Sequence, residues 1–137
     1  MQQRAAIARA LAYDPEVLLL DEPFASVDAQ TRAELEDLLL TIWTRQQLTV
    51  LLVTHDIDEA VYLADRVVVL SQPPTRVAET VTVDLPRPRD QIATKALPRF
   101  AELRARVLST ITHRRPGGAP AYRTAPTRPG PDVEGSR

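Results

Sequence analysis

Hydrophobic residues along the chain fall into short continuous runs separated by stretches of helical period. Val17-Leu18-Leu19-Leu20 is one such run, followed at once by two carboxylates, Asp21 and Glu22. A short unbroken apolar run marks a strand buried on both faces of a parallel sheet; period alone also admits a helix, and length favours the strand. Leu48-Thr49-Val50-Leu51-Leu52-Val53 is a second run, β-branched and ending in Thr54-His55-Asp56. Between them, from Ala29 to about Gln47, Leu35, Leu38, Leu39, Ile42 and Trp43 recur at i, i+3, i+4, i+7 and i+8, while Arg32, Glu34, Glu36 and Asp37 face away. Strand, helix, strand predicts a βαβ crossover and a parallel pair. His55 then reaches the same carboxyl edge as Asp21 and Glu22, where open α/β sheets bind ligands.

The flanking stretches extend this plan. From Gln2 to Tyr13 an Ala-rich, helix-forming composition runs up to Asp14-Pro15, and the residue before a proline leaves the α region just ahead of the first strand. Asp56 with Glu59 resembles a capping box, and Ile57, Ala60, Val61 and Ala64 follow at helical spacing. Arg66 to Leu70 reads as a third strand. Pro73-Pro74 turns the chain into Val77 to Leu85, an edge strand or hairpin arm. Pro86-Arg87-Pro88-Arg89-Asp90 marks a boundary, beyond which Phe100, Leu103, Val107, Leu108 and Ile111 predict a terminal amphipathic helix with Pro98 near its start. From His113 onward the chain is rich in Pro, Gly, Arg, Ala and Thr, the composition of a disordered tail, so truncation after Arg114 should barely change stability.

Composition narrows the options. The 137 residues suffice for one ordinary domain, and a net charge of -1 supplies no basic field for nucleic acid or an anionic membrane. With no cysteine there is no disulfide scaffold or thiolate metal site, which fits a reducing compartment. No apolar run approaches the roughly 20 residues of a spanning helix. The expectation is a soluble, intracellular chain. All four glycines lie between Gly117 and Gly135, so the part expected to fold holds no glycine-rich loop of the kind that cradles phosphates.

Two adjacent acids at a sheet edge suit nucleotide hydrolysis: one holds Mg²⁺, directly or through water, and the other takes the proton of the attacking water. Each candidate alone has a plainer reading. Two acids can simply end a strand, Asp28 can cap the helix starting at Ala29, Ser26 can be a loop hydroxyl, and His55 can be a structural histidine.

Together, the residues resemble the C-terminal half of an ATP-binding-cassette (ABC) transporter ATPase. Met1-Gln2-Gln3-Arg4 with Ala6-Ile7-Ala8-Arg9-Ala10-Leu11 resembles the helix after that family's LSGG signature, and Leu18 to Glu22 resembles its Walker B strand. Ser26-Val27-Asp28 resembles the D-loop, and Thr54-His55-Asp56 the switch-histidine loop. Pro86 to Asp90 followed by Phe100-Ala101-Glu102-Leu103-Arg104 is similar to the nitrate, sulfonate and taurine import branch.

The resemblance implies an α/β fold, the C-terminal part of a P-loop NTPase domain with a parallel sheet core and flanking helices. Residues 1–86 correspond to half of the ATPase domain, 87–112 to a helical extension and 113–137 to the tail. It further implies that Asp21 holds Mg²⁺ through water, Glu22 is the general base, His55 contacts the γ-phosphate of ATP, and Ser26 and Asp28 lie at a dimer interface. The implied partners are a second ATPase subunit, as a homodimer, and a transmembrane permease, with no nucleic acid; the implied place is the cytoplasmic face of the membrane. The implied function is ATP hydrolysis driving import of a small anion or organosulfur compound. The P-loop with its lysine (Walker A), the Q-loop and the LSGG residues would all precede Met1, so the chain is expected to be a fragment, inactive alone. The alternative is a non-catalytic interaction module that pairs with a complete ATPase.

Overall fold

The computed structural model describes residues 5, 7–9, 12, 13 and 15–112. In order these form β1 (Val17–Asp21), α1 (Ala29–Gln46), β2 (Thr49–Val53), α2 (Ile57–Leu63), β3 (Arg66–Leu70), β4 (Val77–Thr82) and α3 (Pro98–Thr112), a mixed α/β arrangement. Ala5 and residues 7–9 are helical, within the stretch from Gln2 to Tyr13 that the Ala-rich composition predicts, while Ala12 and Tyr13 form a turn; Ile7 is buried in the core. Met1 to Arg4, Ala6, Ala10, Leu11, Asp14 and the tail 113–137 lie outside the described residues. None of the described helices is long and apolar enough to cross a membrane.

β1 and β2 pair in parallel with Val17 opposite Thr49, Leu19 opposite Leu51 and Asp21 opposite Val53. The Glu22 N–H donates to the Val53 carbonyl at 2.8 Å, carrying the ladder one residue past Asp21. The parallel arrangement stops there. β3 and β4 pair antiparallel in a separate two-stranded sheet, so Val77–Thr82 is the hairpin arm, and it ends before Leu85.

α1 starts where the Asp28 carboxylate accepts the Thr31 N–H. It ends where Gln47 turns left-handed at φ 56° and returns its N–H to the Trp43 carbonyl. Its Leu35 and Leu39 enter the core with Phe24, Val61, Tyr62, Val81, Phe100, Leu103 and Val107.

Several residues depart from their expected places, Leu38 of the apolar stripe among them, since it is exposed. Glu36, expected to face solvent, is 2% exposed, because the segment after Asp90 folds over α1 and brings Gln91 Nε2 to 2.9 Å and Lys95 Nζ to 3.6 Å of its carboxylate. Leu108 and Ile111 stay largely exposed, since α3 buries Phe100, Leu103 and Val107 and these two sit at the edge of that stripe.

The extension is bound tightly. Arg89 donates through Nη1 to the carbonyls of Tyr62 and Ala64 at 2.7 and 2.8 Å, and Arg87 reaches Asp65 at 2.7 Å while lying 4.1 Å over the Trp43 ring. Two guanidinium groups thus meet the orphan carbonyls at the C-terminal end of α2, where the helix dipole favours positive charge. Burial and the neighbouring Arg87 push Arg89 down to about 10.

Candidate functional site

The site sits where β1 and β2 end side by side. Asp21 closes β1 and is exposed at its carboxyl end. Glu22 follows in the left-handed region at φ 46°, a conformation that costs a residue with a Cβ about 1–2 kcal/mol and is held here by its ladder bond to Val53. This turn aims the Glu22 side chain across to the neighbouring strand end. There His55 Nδ1 donates to Glu22 Oε1 at 2.8 Å, with 80% of the His55 side chain open to solvent. The hydrogen bond and the charge of Glu22 raise His55 above its ordinary value. A strongly exposed imidazole is therefore given its orientation by one carboxylate.

The connection after Glu22 is anchored by Phe24, fully buried beneath it. Ser26 is exposed in this connection. Asp28 uses both carboxylate oxygens locally, one for the Thr31 N–H at 3.0 Å and the other for the Thr31 hydroxyl at 2.7 Å. The first of these bonds is the main cause that holds its carboxyl below the usual range. The structure thus joins Glu22 to His55, sets Asp21 beside them and places Asp28 at the start of α1 as its cap.

The loop bearing His55 is fixed by Thr54, Asp56, Glu59 and Arg32 through contacts that spacing alone does not show. Asp56 caps α2, its Oδ1 accepting the N–H groups of Asp58 and Glu59 at 2.9 and 3.1 Å. The reciprocal half of a capping box is missing. The Asp56 N–H goes instead to the Thr54 hydroxyl at 3.0 Å, and that hydroxyl donates to Glu59 Oε2 at 3.2 Å. Arg32, expected to face away from the sheet, crosses from α1 to Asp56 Oδ2 at 3.0 Å. Glu59 is 4% exposed, its Oε1 has no hydrogen-bond partner among the described residues, and burial, with Glu36 adding to it, pushes its carboxyl up to about 7. The spacing of Asp56 and Glu59 was a visible signal; the direction in which Glu59 turns was not, because it depends on Thr54 and on the roof that α1 forms.

Oxygen donors at a strand end suit a hard cation, and Asp21 offers one carboxylate. Among the described residues no group of three or more His, Cys, Asp or Glu could hold a metal ion. A magnesium ion at Asp21 therefore fits only with water and phosphate oxygens completing its shell, consistent with a ligand that arrives together with a nucleotide.

No protein-family model matches the chain. It is 54% identical over 111 residues to an uncharacterized ABC transporter ATP-binding protein of Methanocaldococcus jannaschii, covering 81% of this chain and 40% of that protein. It is 51% identical over 108 residues to an aliphatic sulfonates import ATP-binding protein of Bacillus licheniformis, covering 79% and 41%. With a nitrate import ATP-binding protein of Synechococcus elongatus it shares 49% identity over 115 residues, covering 83% and 42%. The chain thus spans less than half the length of each of these relatives.

Proposed function

This chain is homologous to the ATP-binding proteins of ABC transporters, and from that premise we propose that it supplies the hydrolytic half of an importer's ATPase site. The observation that carries the reading is the Glu22–His55 contact at the carboxyl edge of a parallel strand pair. Glu22 is the general base: its carboxylate takes the proton of a water aligned with the γ-phosphate. His55, when protonated, donates Nδ1–H to Glu22 and presents Nε2–H to that phosphate as a second donor, a state that the Glu22 carboxylate favours. Asp21 holds Mg²⁺ through water, and the ion, when bound, neutralises charge on the phosphate oxygens. Ser26 and Asp28 lie on a face that meets a second ATPase subunit, in a homodimer.

Residues 1–86 carry this site and 87–112 form a helical extension packed on it, with the parallel pair belonging to a larger parallel core in the complete domain. ATP, a transmembrane permease and the cytoplasmic face of the membrane complete the assembly, with a small anion or organosulfur compound as cargo. The relatives named for sulfonate and nitrate import support that cargo class. Neither Asp21, Glu22 nor His55 supplies the amide and lysine donors that bind a polyphosphate, so this chain alone binds ATP weakly and turns none over.

The test joins this chain to the portion of a relative that it does not match. In the joined protein Glu22→Gln should leave ATP binding intact while turnover falls about 10²- to 10⁴-fold. Unchanged turnover would move the base to another residue. A joined protein that assembles with a complete ATPase but never hydrolyses ATP favours a non-catalytic interaction module instead.

A further inference from the structure

His55 stands on an exposed loop, yet its ring is aimed at Glu22. An exposed side chain with free backbone on both sides would not hold one direction, because fixing it costs conformational entropy that a single solvent-facing hydrogen bond scarcely offsets. The residues on either side of His55 are nevertheless pinned. The Thr54 hydroxyl accepts the Asp56 N–H at 3.0 Å, bridging over His55, and donates in turn to Glu59 Oε2 at 3.2 Å. Asp56 is held a second time from α1 by Arg32 at 3.0 Å. Glu59 stands on α2, one turn further on, with its carboxyl buried. A buried carboxyl is retained against its desolvation cost only where its hydrogen bonds matter, and among the described residues the side-chain donor bonded to it is the Thr54 hydroxyl.

We propose that Thr54 and Glu59 are positioning residues for His55: the Glu59 carboxyl clasps the Thr54 hydroxyl, and the clasp sets the loop so that the imidazole meets Glu22 in its Nδ1–H form. The role in hydrolysis rests on the functional reading above, but the geometry does not. Glu59 touches neither the reacting groups nor Glu22; it acts through Thr54 and the loop.

The consequence is a tautomer. Bonded to the Glu22 carboxylate, the neutral ring carries its proton on Nδ1; released, it reverts to the mixture of a free histidine. Long-range ¹H–¹⁵N spectra of the full chain read this directly, well above the imidazole pKa and in a His113→Gln background that leaves a single ring. Glu22→Ala provides the spectrum of the released ring. The expected result is a protonated Nδ1 in the parent, its loss in Thr54→Val to the Glu22→Ala pattern, and its retention in Thr54→Ser, which restores the hydroxyl. Glu59→Gln keeps an acceptor for that hydroxyl and should retain the signature, whereas Glu59→Ala should lose it.

A parent-like spectrum for Thr54→Val overturns the proposal, as does its loss in Thr54→Ser or in folded Glu59→Gln. If Thr54→Val does not fold, the Glu59 pair decides: like behaviour of Gln and Ala overturns the clasp. These spectra are independent of ATP turnover, so a failed clasp leaves the role of Glu22 standing, and an unchanged turnover in Glu22→Gln leaves the clasp standing.

Discussion

The two strand pairs of this chain are built from similar apolar residues and are covered very differently. β3 and β4 turn Val67, Val69 and Val81 into the core, where α3 seals them with Phe100, Leu103 and Val107. Their outer side mixes Val68, Leu70 and Val77 with Arg66, Thr80 and Thr82. Ion pairs then tie α3 to the hairpin: Arg106 to Glu79 at 2.6 Å and Arg99 to Asp84 at 2.8 Å, with Thr110 bonded to Glu79 as well. In β1 and β2 only Leu18 is fully buried, while Leu20, Val50 and Leu52 are half covered. The opposite face carries Val17, Leu19, Leu51 and Val53 at 59, 63, 58 and 47% exposure. A strand pair whose sequence is apolar on both faces thus has, among the described residues, a layer on one face only. The pair that ends in Asp21, Glu22 and His55 is, among the described residues, the less covered of the two.

The sharpest way to break this comparison is to truncate one leucine on each side of it. Leu103→Ala, from a site only 1% exposed, should cost about 2–5 kcal/mol in denaturant unfolding. Leu51→Ala on the bare face should cost under about 1 kcal/mol. Equal losses would mean that the outer face of β1 and β2 is packed in solution.

The second test concerns Glu59, which lies between the two regions. Its folded value near 7 stands above the ordinary 4.5, so its contribution to stability is fully present below about 4.5 and is lost as pH rises through 7. Glu59→Gln does not titrate. Its stability relative to the parent should therefore grow from pH 5 to pH 8, by on the order of 3 kcal/mol at most. A difference that is flat with pH in thermal melts would show that the carboxyl is not desolvated.

A smaller effect belongs to Asp28. Removing the cap with Asp28→Ala should destabilise the chain by about 1 kcal/mol, and Asp28→Asn should recover most of it. An interface role would appear separately, as weaker subunit association in Asp28→Asn at nearly parent stability. Least in stability, though not in behaviour, is Leu19→Lys. It should leave the melting temperature nearly unchanged and shift the purified chain from associated to monodisperse in sedimentation, because it charges the uncovered face. An associated Leu19→Lys chain would place the sticky surface elsewhere.

Much of the molecule was legible from local pattern. The helix from Ala29, the strand Arg66–Leu70 and the short helix after Asp56 follow from period and capping, which depend on neighbours within a few residues. The meeting of Glu22 with His55 was legible one step further on, since a parallel pair sets two strand ends side by side. What pattern could not reach was a set of side-chain contacts between separate elements. Glu36 looked like a solvent residue because the segment that buries it lies 55 or more residues away, at Gln91 and Lys95. Arg32 looked like one because its partner Asp56 stands on another element, and Glu59 looked like half of a capping box because Thr54 competes for it only once the loop is folded.

The same division runs through the strands. An unbroken apolar run states that both faces of a strand are fit for burial, and it says so whatever lies above them; hydrophobicity is a property of the residue. Whether a face is covered is a property of the packing, and in Val17, Leu19, Leu51 and Val53 the packing leaves it open. Secondary structure, the carboxyl edge and the residue types that crowd it were set by short-range pattern. The burial of Glu36, the two arginines closing α2 and the left-handed backbone at Glu22 needed distant segments to arrive, because buried charge and left-handed backbone are tolerated only where neighbours satisfy them.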